Sequence, residues 1–192
     1  MGAPNQIPMN VVLKLLKPLL EDPLLTKVGQ NLKYDINVLA QHGVHVKGLL
    51  HDTMLQSYIL NSTATKHDLT SLADHYLAIK TTSFEDVAGK GVSQITFNQV
   101  PIDTAAHYAA EDADVALRLH TVLSPLLEQY PEKARLLREI ESPLISVLSK
   151  IERAGALVDA SLLQTQSGQI ADRLKDLEEE AFILAGEPFN LA

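Results

Sequence analysis

Apolar residues recur at every third or fourth position over most of the chain, and this spacing predicts a mainly helical protein. A leucine-rich helix is predicted over residues 10–20, with a kink or an early stop at Pro18, because proline removes one backbone hydrogen bond. Two long helices are predicted over residues 103–129 and 132–153. A third amphipathic helix is predicted over residues 160–184.

Two strand–helix units interrupt this pattern in the first half of the chain. Residues 27–30 are predicted as a strand, and a helix over residues 31–41 follows, with Asn31 as its N-cap. Residues 49–51 are predicted as a second strand that leads into a helix over residues 53–60. Strands that alternate with helices predict an α/β protein.

Several polar residues match the patterns that begin helices. Asp52 is the predicted N-cap of the helix over residues 53–60, and Asp159 is the predicted N-cap of the last helix. A further short helix is predicted over residues 68–77. Ser83 and Asp86 have the spacing of a capping box, which predicts one helical turn after Ser83.

Composition excludes several classes of protein. The chain of 192 residues has a net charge of −8, so contact with nucleic acid depends on local groups or metal ions rather than on bulk positive charge. It contains no cysteine, which excludes disulfides, thiolate metal sites and thiol nucleophiles. Neither a signal peptide nor a membrane-spanning run is found, so a cytoplasmic protein without membrane contact is predicted.

The first candidate for chemistry is a pair on the long helix over residues 103–129. Tyr108 and Asp112 are four positions apart and therefore share a helix face, which continues through Val115 and Leu119. A carboxylate on an apolar face needs a cation, a metal ion or several hydrogen-bond donors, and Mg²⁺ is one such partner. The alternative is a structural carboxylate at the rim of a packed helix.

The second candidate follows the first predicted strand. Functional residues of α/β proteins collect where strands end, and Asp35 lies one helical turn after Asn31 at such a position. The structural alternative is that Asn31 only caps the helix and Asp35 only interacts favourably with the helix dipole.

Three sequence motifs, taken together, resemble the proofreading exonuclease domain of family A DNA polymerases of the bacterial type. They are KVGQNLKYD at residues 27–35, HDTMLQSYILN at 51–61 and YAAEDAD at 108–114. SFEDVAGKG at residues 83–91 and TFNQV at 96–100 extend the resemblance in the same order. IERAGALVD, from residue 151, resembles the beginning of the polymerase region.

The resemblance implies a ribonuclease-H-like exonuclease fold, followed by long α-helices. It implies removal of nucleotides from a single-stranded DNA 3′ end, with two divalent metal ions, Mg²⁺ or Mn²⁺. By motif match Asp112 is implied as a metal ligand and catalytic residue. Tyr108 is implied to orient the attacking water, and Asp35 to act through a metal-bound water.

The same resemblance implies DNA contacts. Gln30 and Asn31 are expected near the frayed 3′ end, and Phe84 occupies the position of an aromatic residue that contacts an unstacked base. Lys66 occupies a position where related proteins often carry arginine.

One departure from the family pattern changes the expectation for this chain. The family's first strand carries an Asp-x-Glu motif with two more metal-binding carboxylates, whereas the first acidic residues here are Glu21 and Asp22, within or after the leucine-rich helix. We therefore expect an exonuclease fold that lacks its first strands and binds metal poorly.

Residues 1–131 are expected to be an N-terminally incomplete exonuclease domain, and residues 132–192 the helical start of a polymerase domain. The remaining polymerase domains are then the expected partners if they are joined to this chain. The alternatives are a non-catalytic module that binds nucleic acid or acts as a spacer, and a fragment with no independent role.

Overall fold

The computed structural model describes residues 6–190, which divide into two compact units, one ending at Arg153 and the other beginning at Ala154. The helices and strands in chain order are α1 (Met9–Glu21), β1 (Lys27–Gly29), α2 (Leu32–Gln41), β2 (Leu50–Asp52), α3 (Thr53–Leu60), α4 (Leu69–Leu72), α5 (Phe84–Ala88), α6 (Ile102–Glu128), α7 (Pro131–Leu136), α8 (Ser142–Ala154) and α9 (Ala160–Ala185). The protein is a mostly helical α/β structure with a small parallel sheet, in agreement with the predicted class.

The two predicted strands are confirmed to within one residue. β1 and β2 pair in parallel, with Val28 opposite His51. Because the strands are parallel, their carboxyl ends lie at the same edge of the sheet, and each strand leads into a helix. Within residues 6–190, β1 pairs with β2 alone and its other edge has no strand against it.

The beginning of α2 differs from the prediction. Asn31 has φ of 55° and its side chain makes no capping hydrogen bond, so the prediction that it caps this helix is wrong. Asp52, at the end of β2, accepts hydrogen bonds from the backbone N–H groups of Asn31 at 3.0 Å and Leu32 at 2.8 Å. The same carboxylate also caps α3, as predicted, through Met54 N–H at 2.9 Å.

The core of the first unit lies along α6. This helix of 27 residues packs against α3 and α4, and it continues past Pro125 to Glu128. Five core residues form one buried cluster: Leu72, Ala73, Val115, Leu119 and Leu123. Because Tyr108 and Asp112 lie one to two turns before this anchored segment, α6 is firmly held where it carries them.

Two predicted helices contain π-helical turns. The segment predicted over residues 132–153 consists of α7, a π-helical turn at Leu137–Glu141, and α8. Proline has no N–H and its ring crowds the preceding turn, and Pro143 lies just after the wider turn that accommodates it. The helix predicted over residues 68–77 likewise begins as α4 and ends as a π-helical turn.

The second unit is built on α9. Asp159 caps it as predicted, accepting hydrogen bonds from Ser161 N–H at 3.1 Å and Leu162 N–H at 3.0 Å. The helix ends at Gly186, whose φ of 78° is left-handed. The rings of Phe182 and Phe189 then pack edge to face, with centroids 5.6 Å apart.

Two histidines stack in the first unit, and they should make its free energy of unfolding depend on pH. The rings of His51 and His120 lie 4.5 Å apart, and Nδ1 of His120 is 2.9 Å from the amide of buried Gln56. Burial lowers the pKa of both histidines, and their proximity lowers that of His120 further. Both rings are therefore neutral in the folded protein at a pH at which the unfolded chain binds protons.

We expect the free energy of unfolding to fall as the pH is lowered from about 7.5 to about 5.5, because the contribution of the neutral rings is complete only above the unfolded pKa of about 6.5. The rings are only partly buried, so the loss is about 1 kcal/mol. Urea unfolding of a variant with His51→Gln and His120→Gln should lose this part of the slope, while exposed His42→Gln should keep it. Equal slopes in all three proteins would contradict the assignment.

Candidate functional site

A groove with a volume of about 570 Å³ runs between β1, α2, α5 and α6. Five of the seven residues singled out from the sequence line it: Gln30, Asp35, Phe84, Tyr108 and Asp112. They come from four separate segments of the chain, and the fold brings them to one place. The carboxyl end of β1 forms one wall, and the N-terminal half of α6 forms another.

Tyr108 and Asp112 form the polar pair of the α6 wall. The phenol hydroxyl hydrogen-bonds to the Asp112 carboxylate, as their i,i+4 spacing allows. Burial raises the pKa of Asp112, and the hydrogen bond from Tyr108 partly offsets that shift. Burial and the neighbouring Asp112 also raise the pKa of Tyr108, so its hydroxyl keeps its proton and remains a donor at neutral pH.

Asp35 lies on the opposite wall, in the first turn of α2. The residue is exposed to solvent, but the surrounding groove partly desolvates its carboxyl and raises its pKa. The buried charge of Asp52 adds to this shift. The groove thus holds two carboxyl groups, Asp35 and Asp112, whose ionised forms are both disfavoured by their surroundings.

Gln30 is positioned by hydrogen bonds from both ends of its amide. Its Nε2 donates to the carbonyl oxygen of His67 at 2.8 Å, and the hydroxyl of Thr53 donates to its Oε1. The amide therefore links the end of β1 to α3 and to the loop before α4. With both amide ends engaged, Gln30 forms a fixed part of the wall of the groove.

Two sets of hydrogen bonds fix the segment that carries Phe84 at the rim. The predicted capping box is confirmed, because Ser83 and Asp86 bond reciprocally at the start of α5. Glu111 of α6 accepts a hydrogen bond from Thr82 N–H at 2.8 Å, which ties the preceding loop to the helix that carries Tyr108. Sequence reasoning missed Glu111, because nothing in the pattern of α6 shows that its carboxylate reaches a loop 29 positions earlier.

Two residues that the resemblance implies as DNA contacts lie away from this groove. Asn31 lines a separate, smaller cavity with Leu144 and Ile145 of α8. Lys66 is exposed on the loop before α4 and is absent from the lining of the groove. Their suggested contacts with DNA remain predictions.

The lining of the groove contains two acidic residues, Asp35 and Asp112. In the part of the chain that the structure describes, no group of three or more histidine or acidic side chains is placed to hold a metal ion. Asp52 lies nearby, but its oxygens accept backbone N–H groups. An Asp-x-Glu spacing does occur at residues 176–178, but it lies in the middle of α9 rather than on a strand.

None of the described helices combines the length and the apolar character needed to cross a bilayer.

The fold is a mostly helical α/β structure with one groove at the end of its small parallel sheet, and sequence comparison identifies the family. The profile of the 3′–5′ exonuclease family of DNA polymerase A matches residues 3–128, and the chain belongs to this family. This confirms the resemblance that the sequence motifs indicate.

Individual relatives are bacterial DNA polymerases I. The chain is 55% identical to the DNA polymerase I of Pseudomonas aeruginosa, over 100% of this chain and 21% of that protein. It is 43% identical to the enzyme of Rhizobium leguminosarum, over 98% of this chain and 18% of that protein. The chain thus spans about a fifth of the length of these relatives.

A solved structure shares the fold. The structure titled POL domain of Pol1 from M. smegmatis, in complex with DNA primer-template and dNTP, superposes with a TM-score of 0.72. It covers 93% of this chain and 28% of that chain, at 24% sequence identity. At this identity the likeness concerns the fold alone.

Proposed function

We propose that the groove binds the single-stranded 3′ end of DNA and that this chain is the proofreading exonuclease segment of a DNA polymerase I. The observation that carries the proposal is the convergence of Tyr108, Asp112, Asp35 and Phe84 on one groove. These residues come from motifs that match the exonuclease family, and they include a proton donor, two carboxyl groups and an aromatic ring.

The reaction proposed is hydrolysis of the terminal phosphodiester bond. Water attacks phosphorus and the P–O3′ bond breaks; the water's oxygen stays on the released nucleoside 5′-monophosphate, and the proton that the water loses ends on O3′ of the shortened strand. Tyr108 orients the water, because its hydroxyl stays protonated and is aligned by Asp112. Phe84 contacts the unpaired terminal base, since an aromatic face binds any base by stacking.

The two-metal form of this reaction needs more carboxylates than the described residues place in the groove. We propose that the missing pair belongs to a strand with an Asp-x-Glu motif, and that this strand pairs with the edge of β1 that faces away from β2. The complete arrangement would be the ribonuclease-H-like sheet that the family resemblance implies. The 192-residue chain alone is then proposed to bind divalent metal weakly and to be nearly inactive.

The relatives support the rest of the proposal. Residues 1–131 are proposed as the exonuclease domain and residues 132–192 as the helical start of the polymerase domain. The partners are then the remaining polymerase domains and a DNA 3′ end, in replication and repair in the cytoplasm. The match of the family profile to residues 3–128 supports the first boundary.

A nuclease and binding assay on the 192-residue chain tests this proposal. With Mg²⁺ or Mn²⁺ and a DNA with a frayed 3′ end, we expect trimming no faster than that of the Asp112→Asn variant. Without metal, fluorescence anisotropy should show tighter binding of a free single-stranded 3′ end than of a blunt duplex. Asp112→Asn should tighten that binding about two- to fivefold, because it removes a negative charge facing the phosphates.

The matched control is Asp103→Asn, an exposed carboxylate in the first turn of the same helix. It should change neither cleavage nor binding. Fast trimming that Tyr108→Phe abolishes would show that the chain forms a complete metal site. Equal affinity for the free 3′ end and the blunt duplex would refute the proposed substrate.

A non-catalytic nucleic-acid-binding module is the second candidate. It is favoured by the lack of a three-ligand acidic group within residues 6–190, together with a half-exposed aromatic ring at the groove. Binding that persists without any cleavage under all metal conditions supports this candidate for the isolated chain. A purely structural spacer would show no binding at all.

A further inference from the structure

Three aromatic rings meet at the rim of the groove. The ring centroids of Phe84 and Phe97 lie 6.3 Å apart, those of Phe97 and Tyr108 lie 5.9 Å apart, and those of Phe84 and Tyr108 lie 6.5 Å apart. Each distance is within the range of favourable aromatic pairs. The three rings come from α5, a short 3₁₀ turn at Phe97–Gln99, and α6, so they form a closed triangle between separate elements.

The turn that carries Phe97 is held in place locally. Oε1 of Gln99 accepts hydrogen bonds from the backbone N–H of Thr96 at 3.1 Å and from its hydroxyl at 3.0 Å. The backbone N–H of Ile95 donates to the carbonyl oxygen of Ala88 at 2.8 Å, which ties the loop to the end of α5. The Phe97 ring is thus presented by a fixed turn that is anchored to the helix of Phe84.

Phe97 lies beside the groove and is not part of its lining, although 42% of the residue is exposed to solvent. Phe84 and Tyr108 line the groove, whereas Phe97 touches both rings without lining it. The rings of Phe84 and Phe97 are tilted by 31° with centroids 6.3 Å apart. A base sandwiched between two rings needs about 7 Å, twice a contact distance of about 3.5 Å, so no base fits between them.

We propose that Phe97 is a positioning residue that holds the base-contacting face of Phe84 and the hydroxyl-bearing ring of Tyr108 in one orientation. This inference rests on the proposed function, in which Phe84 contacts the terminal base of a DNA 3′ end. Phe97 acts through these two rings and does not itself contact DNA. The unpaired base lies on the groove side of Phe84. Because Phe97 packs against both rings, it couples the base contact made by Phe84 to Tyr108, which is proposed to orient the water.

The test measures binding of a single-stranded oligonucleotide with 2-aminopurine at its 3′ end to the 192-residue chain without metal. Phe84→Ala should weaken binding about 5- to 100-fold, since it removes the stacking face. Phe97→Ala should weaken it about 3- to 10-fold and reduce the quenching of 2-aminopurine at saturating protein. Phe97→Tyr, which keeps the ring, should bind within about twofold of the parent protein.

A double variant separates positioning from a direct or purely structural effect. Of the two rings that Phe97 holds, only Phe84 is proposed to contact the base, so in this binding assay Phe97→Ala should have no further effect on affinity in the Phe84→Ala background. Val92→Ala, at a fully exposed position of the same loop, is the matched control and should change nothing. Phe97→Leu retains apolar volume, so it supplies the same comparison if the alanine variant unfolds.

The outcomes are distinguishable from failure of the proposed function. If the parent chain does not bind the oligonucleotide, the proposed function fails and this inference fails with it. If Phe84→Ala weakens binding while Phe97→Ala does not, the groove is retained and only the role of Phe97 is overturned. Additive losses in the double variant would also overturn it, because they indicate a direct contact.

Discussion

Replacing Asp52 by alanine should lower the free energy of unfolding of the first unit by about 3 kcal/mol or more, as measured by urea unfolding. Asp52 is only 2% exposed, and its two oxygens accept hydrogen bonds from the backbone N–H groups of Asn31, Leu32 and Met54 at 2.8 to 3.0 Å. Alanine would leave these donors without partners at the start of two helices.

The pKa of Asp52 reflects two opposing effects, burial and hydrogen bonding. Burial raises this pKa, while the hydrogen bonds from the backbone at Leu32, Asn31 and Met54 lower it. Because burial outweighs the hydrogen bonds, the net effect raises the pKa. Burying the carboxylate therefore costs free energy, and the capping of both helices offsets this cost. Asp52→Asn should be less damaging than Asp52→Ala, because one side-chain oxygen can still accept.

An exposed cap in the same unit provides the matched control. Asp68 caps α4 through Ser71 N–H at 2.8 Å and lies at the surface. Asp68→Ala should cost about 1 kcal/mol, because water can replace the lost acceptor. If Asp52→Ala costs no more than Asp68→Ala, the central role assigned to the double cap is wrong.

Gly48→Ala should also destabilise the first unit strongly, by about 2 to 4 kcal/mol. Gly48 has φ of 92°, and a Cβ at this position would lie 2.3 Å from the carbonyl oxygen of Leu25. That oxygen cannot easily move away, because it accepts a hydrogen bond from Nζ of Lys27 at 2.9 Å. The same ammonium group also holds the carbonyl oxygen of Asp22.

Gly43→Ala is the control that separates backbone strain from the steric clash of the new Cβ. It has φ of 71°, but a Cβ there would meet no atom within 4 Å. Gly43→Ala should therefore cost only the backbone strain, about 1 kcal/mol. Denaturant unfolding of both variants under one set of conditions measures the difference, which isolates the steric clash. Similar costs for the two variants would show that the segment 22–25 yields to the new methyl group.

Much of the secondary structure follows from local signals. The caps at Asp52 and Asp159 and the box at Ser83 and Asp86 are predicted from the sequence, because each involves residues two or three positions apart. The division of the helix predicted over residues 132–153 was not predictable, because proline can kink, stop or widen a helix. Which of these occurs depends on the packing around it.

The site follows the same division between local and long-range information. The spacing of Tyr108 and Asp112 predicts their common face, and motif resemblance predicts that Asp35 and Phe84 belong to one site. The roles of those four residues stay predictions, while the groove that joins them is observed.

By itself the sequence determined the family, the α/β class, most helix limits and the candidate residues for chemistry, because these depend on local spacing and on motifs. Only the tertiary structure decided which of those residues meet. It assigned the cap of α2 to Asp52 instead of Asn31, tied Glu111 to Thr82 and placed Phe97 against Phe84 and Tyr108. These contacts join residues 11 to 29 positions apart. Their geometry depends on how whole elements pack, which no local pattern encodes.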